Sequence, residues 1–171
     1  MSPRRFTRAD ISPEQQAAVD AQLVVEVLGE APGVKGNHKE FGRTWQGRPI
    51  LRATDRDQAA EAMLVLALQA HPLRPASPLS GPLRLDVDAV REVPASWSGR
   101  KRARALSGEL RPTTRPDRGN HLKLMEDALQ AAGWIEDDSC VVEGDVRKVY
   151  GDPCGWRFTL GPVGGSVVHV D

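Results

Sequence analysis

The sequence predicts an α+β fold, a single compact domain with a mixed or antiparallel sheet and flanking helices. The chain has 171 residues, which is long enough to bury one hydrophobic core. Segments with the alternating apolar pattern of strands lie both before and after segments with helical periodicity. Because these segments follow one another without a regular strand–helix–strand repeat, a doubly wound parallel sheet is not expected.

The first third of the chain predicts an arm, a strand, a long loop and a helix. Residues 1–21 are polar and aperiodic, which indicates a loosely ordered arm before a domain of residues 22–171. LVVEVL at 23–28 is typical of a strand. The Gly-rich, basic segment 29–49 predicts a long loop or a frayed hairpin. Asp55 or Asp57 can cap a helix through 59–70, which ends before His71-Pro72.

The middle of the chain predicts a strand and a short basic helix. A Pro/Ser linker at 73–82 leads into LRLDVDAV at 83–90, where apolar and polar residues alternate. One face of this strand carries Leu83, Leu85, Val87 and Ala89, and the other carries Arg84, Asp86 and Asp88. Segment 93–108 is basic and predicts a short helix or loop, with Ser96 or Ser98 as the starting cap.

The last third predicts one long helix and two strands. The helix spans residues 118–132 and ends at Gly133, the usual residue after a helix. Strands at 140–150 and 156–160 follow, joined by a turn at 151–155. Trp156, Phe158 and Leu160 share one face of the last strand, which we expect to face the core.

Composition and charge restrict the function classes. The formal net charge of zero argues against a protein that coats nucleic acid indiscriminately. Positive charge is concentrated between residues 91 and 123, and negative charge between 126 and 152, a distribution typical of an enzyme that acts on a polyanion through cations, although a zwitterionic surface would show it too.

No apolar run approaches the roughly 18–20 residues of a membrane span, and the N-terminus has no apolar core, so we expect a cytoplasmic protein without a membrane partner. Cys140 and Cys154 have no metal-ligand spacing, and we expect buried thiols that form no disulfide. The four histidines form no metal or triad pattern.

Segment 115–138, RPDRGNHLKLMEDALQAAGWIEDD, carries the candidate chemistry. Asp117 precedes the helix, where it can serve as a plain N-cap. A stripe of the helix carries Asn120, Lys123 and Asp127, spaced three and four residues apart, which is also typical of a solvated face. The pair Asp137-Asp138 follows the helix, where a polar turn is the simpler interpretation.

Together these residues favour a metal-dependent phosphodiester cleavage site. Adjacent carboxylates repel one another unless a cation or donor lies between them. Carboxylate oxygens that converge on one point suit Mg²⁺. A lysine beside such a site can stabilise the negative charge that develops on a phosphate, or protonate the leaving group.

The motif resembles that of the RusA family of Holliday junction resolvases, whose signature is KPDxDNLxKxxxDAL followed by a glycine and a DDxxV turn. Here it is RPDRGNHLKLMEDALQAAGWIEDDSCVV. Upstream, VPASWSGRKRARALSGELRPTTRPD is similar to the family's basic approach to the motif in phage and prophage relatives. GEAPGVKG at 29–36 and KVYG at 148–151 resemble its G-x-P-x-x-K and K-x-Y-G elements. The resemblance covers residues 22–161 loosely and 93–150 well.

The resemblance implies a small homodimeric α+β nuclease that nicks four-way DNA junctions symmetrically with Mg²⁺ or Mn²⁺, in DNA recombination and repair, and needs no nucleotide cofactor. It assigns metal binding to Asp117 and Asp138 and a catalytic role to Lys123. Asp137 matches a motif position beside the metal, and Asn120 and Asp127 match supporting positions. The basic side chains that would bind DNA phosphates are Arg100, Lys101, Arg102, Arg104 and Arg115.

One position departs from the motif. The second aspartate of D-x-D falls on Gly119, so one acidic ligand is missing. Asp137, Asp86 or Asp88 could supply the replacement oxygen, and the sequence leaves this open. Two rival hypotheses remain: a junction-binding protein of the same fold that does not cut, and a small α+β protein whose acidic turn binds a structural cation or a protein partner.

Overall fold

The computed structural model of the chain describes residues 21–28, 39–43, 49–53, 55–164 and 166–168. These residues contain eight strands: β1 (Ala21–Leu28), β2 (Lys39–Arg43), β3 (Pro49–Ala53), β4 (Leu83–Arg91), β5 (Val141–Glu143), β6 (Val146–Tyr150), β7 (Gly155–Pro162) and β8 (Ser166–Val168). The helices are α1 (Asp55–Ala70), α2 (Gly99–Leu106), α3 (Arg118–Ala131) and a 3₁₀ turn, Asp138–Cys140. The predicted arm and the GEAPGVKG element lie outside the described residues.

A six-stranded mixed sheet forms the centre of the domain. Strand β4 pairs antiparallel with β7 and parallel with both β5 and β6, while β7 continues antiparallel to β1 and β1 pairs parallel with β8. Strands β2 and β3 form a separate antiparallel hairpin, so the hairpin alternative for 29–49 is confirmed in that part. The predicted α+β class, with a mixed sheet and flanking helices, is confirmed.

The core lies between one face of this sheet and the helices α1 and α3. The sheet contributes residues of β1, β4, β6 and β7, and α1 and α3 contribute their apolar faces. The predicted sets Leu83, Leu85, Val87 and Ala89 on β4, and Trp156, Phe158 and Leu160 on β7, are buried as expected. Trp134, which follows α3, is fully buried and donates from Nε1 to the carbonyl of Leu68 in α1 at 2.9 Å. This contact fixes α1 against the segment that leads to the acidic turn.

The prediction of one strand over 140–150 is wrong, because the structure has two strands there. The segment divides into β5 and β6 because Gly144 (φ +148°) lies so close to β4 that a Cβ atom there would stand 1.8 Å from the carbonyl oxygen of Leu85. The turn then carries the chain across β4, so β6 and β7 lie on opposite sides of that strand instead of pairing with each other. The alternation of apolar residues in a sequence predicts a strand but not the strand with which it pairs.

The two cysteines and the helix lengths bear on two further predictions. Cys140 and Cys154 form no disulfide, as expected, but both are half-buried and not buried. In the part of the chain that the structure describes, no helix is long and apolar enough to cross a membrane.

Candidate active site on helix α3

Asp117 begins helix α3 and acts as its N-cap. Its backbone is extended, and its Oδ1 accepts a hydrogen bond from the backbone N–H of Asn120 at 2.9 Å. The cap satisfies one of the N–H groups that the first helical turn leaves without a partner. The residue is nevertheless exposed, so the N-cap alternative is confirmed without excluding a role for the carboxylate toward solvent.

Gly119 lies in the first turn of α3, directly beside that carboxylate. Apart from the adjacent residues and the backbone of the helix itself, a Cβ atom built at Gly119 would have one neighbour within 4 Å, Oδ1 of Asp117 at 3.6 Å, which is an ordinary van der Waals contact. The backbone therefore has room for a side chain here, and that side chain would start next to Asp117. The carboxylate is absent because the residue is glycine, and not because the fold lacks space for a side chain.

Lys123 lies on the exposed side of α3, about one turn after Gly119, and joins the helix to the acidic turn. Its Nζ donates to Oδ1 of Asp127 at 2.7 Å and lies 3.5 Å from Oδ2 of Asp138. The hydrogen bond to Asp127, with the charges of both carboxylates, raises the pKa of the Lys123 ammonium. The structure thus brings together three predicted residues from the helix and the turn.

Asp137, the other half of the acidic pair, is engaged locally. Its Oδ1 accepts the backbone N–H of Ser139 at 3.0 Å, which caps the 3₁₀ turn that begins at Asp138. The hydrogen bonds from Ser139 lower the pKa of Asp137. The predicted polar-turn interpretation is confirmed for this residue, and capping orients its neighbour Asp138 toward Lys123.

The sequence reasoning missed Glu126. This half-buried glutamate follows Lys123 by three residues and Gly119 by seven, so all three lie on neighbouring positions of the same helix surface. Burial raises the pKa of Glu126, and the negative charge of Asp138 raises it further. The seven-residue spacing from Gly119 was the signal that could have identified it.

The two aspartates of β4 that could replace the missing metal ligand, Asp86 and Asp88, form ion pairs with arginines. Asp86 accepts two hydrogen bonds from Arg84, at 2.7 and 2.9 Å, and Asp88 accepts two from Arg147, at 2.7 and 3.0 Å. Both aspartates alternate with core residues of β4, so they lie on the sheet face away from α3. Each charge is neutralised where it stands, which makes neither a ready replacement for the carboxylate missing at Gly119.

The donor set suits a hard divalent cation in kind, because Asp117, Asp138 and Glu126 all offer carboxylate oxygens. In the described part of the chain, no three His, Cys, Asp or Glu side chains are grouped closely enough to hold a metal ion. The ammonium of Lys123 stands among the carboxylates at the Asp138 end, and Asp117 stands at the start of the helix.

Comparison with known families settles which family this is. The sequence model of the family described as Endodeoxyribonuclease RusA matches residues 32–157, most of the chain. The chain belongs to the RusA family. A curated relative, "Uncharacterized protein YqaN" of Bacillus subtilis (strain 168), is 40% identical over 89 residues, which are 51% of this chain and 62% of the relative. The chain thus spans less than two thirds of that relative's length, and the predicted RusA resemblance is confirmed.

The basic helix α2 precedes the RusA motif in the chain and carries most of the predicted DNA-binding side chains. Ser98 caps it, as one of two predicted alternatives, by accepting from the N–H of Lys101. Arg100 is exposed, and the Nζ of Lys101 lies 3.8 Å from the ring centroid of Trp97. Two guanidinium groups are used within the domain: Arg102 donates to the carbonyl of Val93 at 3.1 Å, and Arg104 pairs with Glu109 at 2.7 Å. Arg115, in the loop before α3, is exposed.

Proposed function

We propose that this RusA-family protein is a metal-dependent endonuclease that resolves four-way DNA junctions by paired symmetric nicks. The observation that supports it most is the meeting of Lys123 with Asp138 across the helix and the acidic turn, within the segment that the family model matches. An ammonium group and exposed carboxylates lie on one surface, and phosphodiester hydrolysis uses groups of both kinds.

In this proposal the chain contributes charge and orientation. Asp117, Asp138 and Glu126 are the residues that would hold Mg²⁺ or Mn²⁺, with Asp137 holding the turn in place. The cation, when bound, polarises the phosphate and lowers the pKa of a water molecule. Lys123 contributes a positive charge to the negative charge that develops on the phosphate or on the leaving oxygen. Asn120 and Asp127 support the geometry, the latter through its 2.7 Å contact with Lys123.

A two-fold homodimer is part of the proposal. A four-way junction presents two equivalent strands, and a symmetric pair of sites can nick both in the same geometry. The basic helix α2 supplies exposed charges, Arg100 and Lys101 among them, for contacts with the DNA backbone that carry little sequence information. We expect such binding to depend on the shape of the junction and on the salt concentration.

The competing function is junction binding without cleavage, and Gly119 is the observation that favours it. The family motif has an aspartate there, and this chain has a glycine with room for one. Fewer carboxylates lower the affinity for a divalent cation, and a site that does not hold the cation would bind the junction without cutting it.

The deciding experiment uses a labelled synthetic four-way junction, with linear duplex of the same sequence as control, at several Mg²⁺ and Mn²⁺ concentrations. Paired nicks that disappear with chelator and in Asp138→Asn support the nuclease. Tight binding to the junction without nicks supports the junction binder. Equal affinity for junction and linear duplex, without nicks, would reject both and favour a structural role for the acidic turn.

A further inference from the structure

Two cationic side chains from neighbouring strands meet beside the start of helix α3. Arg91 ends β4 and Lys148 lies in β6, where the two strands run parallel. Arg91 donates from Nη1 to the hydroxyl of Thr114 and, at 3.2 Å, to the carbonyl of Arg115, while Nζ of Lys148 donates to the carbonyl of Thr114. Both side chains are half-buried, and both thus hold the loop that leads directly to Asp117.

Neither cation is neutralised by an ion pair within the described residues. The acceptors that they contact there are a hydroxyl and two carbonyls, all uncharged. Both cations contact Thr114, which places the two charges close together. Burial lowers the pKa of Lys148 and the positive charge of Arg91 lowers it further, while the negative charge of Asp117 raises it. Two like charges held together in a partly buried position leave a site that an anion would stabilise.

A third group in this cluster lacks a partner. His121, in the first turns of α3, is 1% exposed, and its Nε2 has no hydrogen-bond partner among the described residues. Its ring packs edge-on against Trp156 at 5.3 Å, and the charges of Lys148 and Arg91 reach it. Buried polar atoms normally have partners, so this nitrogen, enclosed by the protein, is a position that a buried water molecule can complete.

We propose that Arg91 and Lys148 form a binding subsite for a backbone phosphate of the DNA strand that passes Asp117. The N-terminal end of α3 adds the positive end of its dipole. This inference rests on the proposed nuclease function and adds to it. The subsite is separate from the basic residues of α2, and it places one phosphate next to the carboxylate that begins the active-site helix.

The test is the salt dependence of binding to a labelled four-way junction, measured by fluorescence anisotropy in the presence of chelator so that cleavage plays no part. In Arg91→Gln and Lys148→Gln we expect the slope of log K against log salt to fall in magnitude by about 0.9 for each lost phosphate contact. At 0.1 M salt this corresponds to binding weaker by on the order of tenfold. Lys148→Arg, which keeps the charge, should retain the slope.

Two controls separate phosphate binding from a purely structural role. Thr114→Val removes the hydroxyl that Arg91 contacts but keeps both charges, so its slope should equal that of the natural protein. Arg157→Gln removes a cation from the other face of the sheet, where it pairs with Glu26 at 2.7 Å, and should also leave the slope unchanged. Unchanged slopes in Arg91→Gln and Lys148→Gln would overturn the inference, as would a Thr114→Val slope reduced as much as theirs.

The outcome also remains distinct from that of the proposed function. If the natural protein does not prefer the junction to linear duplex, junction resolution fails, whereas the slopes measured on the duplex still decide the subsite. If Arg91→Gln does not fold, as a thermal melt would show, the pair Lys148→Gln and Lys148→Arg decides it. A natural protein that binds neither DNA overturns both.

Discussion

Nζ of Lys123 lies 3.5 Å from Oδ2 of Asp138, so an ion pair joins helix α3 to the turn that follows it. The two residues are separated by the rest of the helix and by the buried Trp134-Ile135 segment, which pairs with Leu79 and turns the chain back. The core therefore sets the geometry of the surface pair, because the position of Asp138 depends on where Trp134 is held.

Replacing Lys123 should affect catalysis far more than stability. Its ion pairs are substantially exposed, and such pairs contribute about 0.2–1 kcal/mol. We expect Lys123→Gln to change the free energy of unfolding by less than about 1 kcal/mol. Loss of a charge that acts in the transition state should slow junction nicking by about 10²–10³-fold. The rate is measured in the natural chain or, if that does not nick, in Gly119→Asp.

Asp127→Asn is the matched control for Lys123. It removes the shorter contact of the ammonium while leaving the positive charge in place. Its nicking rate should stay much closer to that of the parent protein than the rate of Lys123→Gln does. An equal loss in both variants would argue that the ion-pair network, and not the lysine charge, matters.

Substitutions of Asp117 can separate its capping role from its role toward a cation. Asparagine caps a helix about as well as aspartate, so Asp117→Asn should retain the free energy of unfolding, whereas Asp117→Ala should lose about 1 kcal/mol. Both substitutions remove the negative charge and should weaken Mn²⁺ binding, as measured by calorimetry, to a similar extent. If Asn restores cation affinity to the natural level, Asp117 is only a cap.

Burial of His121 predicts acid sensitivity. Desolvation, with the charges of Lys148 and Arg91, lowers its pKa from 6.5 to about 4. Above pH 6.5 the imidazole is neutral in both states; as the pH falls from 6.5 toward about 4, the unfolded chain takes up a proton that the folded chain does not. Stability should fall across this window by on the order of 3 kcal/mol. Urea unfolding of the natural protein and His121→Leu at several pH values should show a flatter profile in the variant.

The sequence was sufficient for the core and for most element boundaries because these depend on local periodicity. The alternation of Leu83, Leu85 and Val87 identified the buried face of β4, and Gly133 identified the end of α3. The split at Gly144 escaped because it depends on close approach to another strand, at Leu85. Local pattern carries no information about that neighbour.

The candidate site was predictable to the same extent. The motif identified Lys123 and Asp138, but their separation of 3.5 Å depends on how the core holds the segment between them. Glu126 was missed because it is not a motif position, and the pair Arg91–Lys148 was missed because it joins two strands far apart in the chain. The pair depends on tertiary contacts, which the spacing of residues along one helix cannot report, whereas the spacing of Glu126 from Gly119 along α3 was visible in the sequence.

Glu126 predicts opposite effects with and without metal. Its raised pKa means that the folded state binds the proton more tightly than the unfolded chain does. The associated stabilisation is present below the ordinary pKa of 4.5 and is lost as the pH rises through the folded value. In chelator at pH 7, Glu126→Gln should therefore be equal to the natural protein or more stable, by less than about 1 kcal/mol. In excess Mg²⁺ it should gain less stability than the natural protein, if Glu126 is a ligand.

Restoring the carboxylate at Gly119 is the most direct test of the departure from the family motif. The substitution Gly119→Asp places a new side chain 3.6 Å, at its Cβ atom, from Oδ1 of Asp117, in space that the fold leaves open. Without metal the two carboxylates repel each other, so the variant should be no more stable than the natural protein, despite the gain of about 0.3–0.6 kcal/mol in helix propensity over glycine. With Mn²⁺ both the affinity and the thermal stability should rise, because a further carboxylate joins the site.

Gly119→Asn is the matched control, since it has the same shape without the charge. We expect Asn to leave Mn²⁺ affinity near that of the natural protein, as titration calorimetry would show. Junction cleavage by Gly119→Asp but not by the natural chain would identify the natural chain as a junction binder that has lost its activity. Equal cleavage by Gly119→Asp and the natural chain, with a loss of cleavage in Glu126→Gln, would identify Glu126 as the carboxylate that already replaces the missing one.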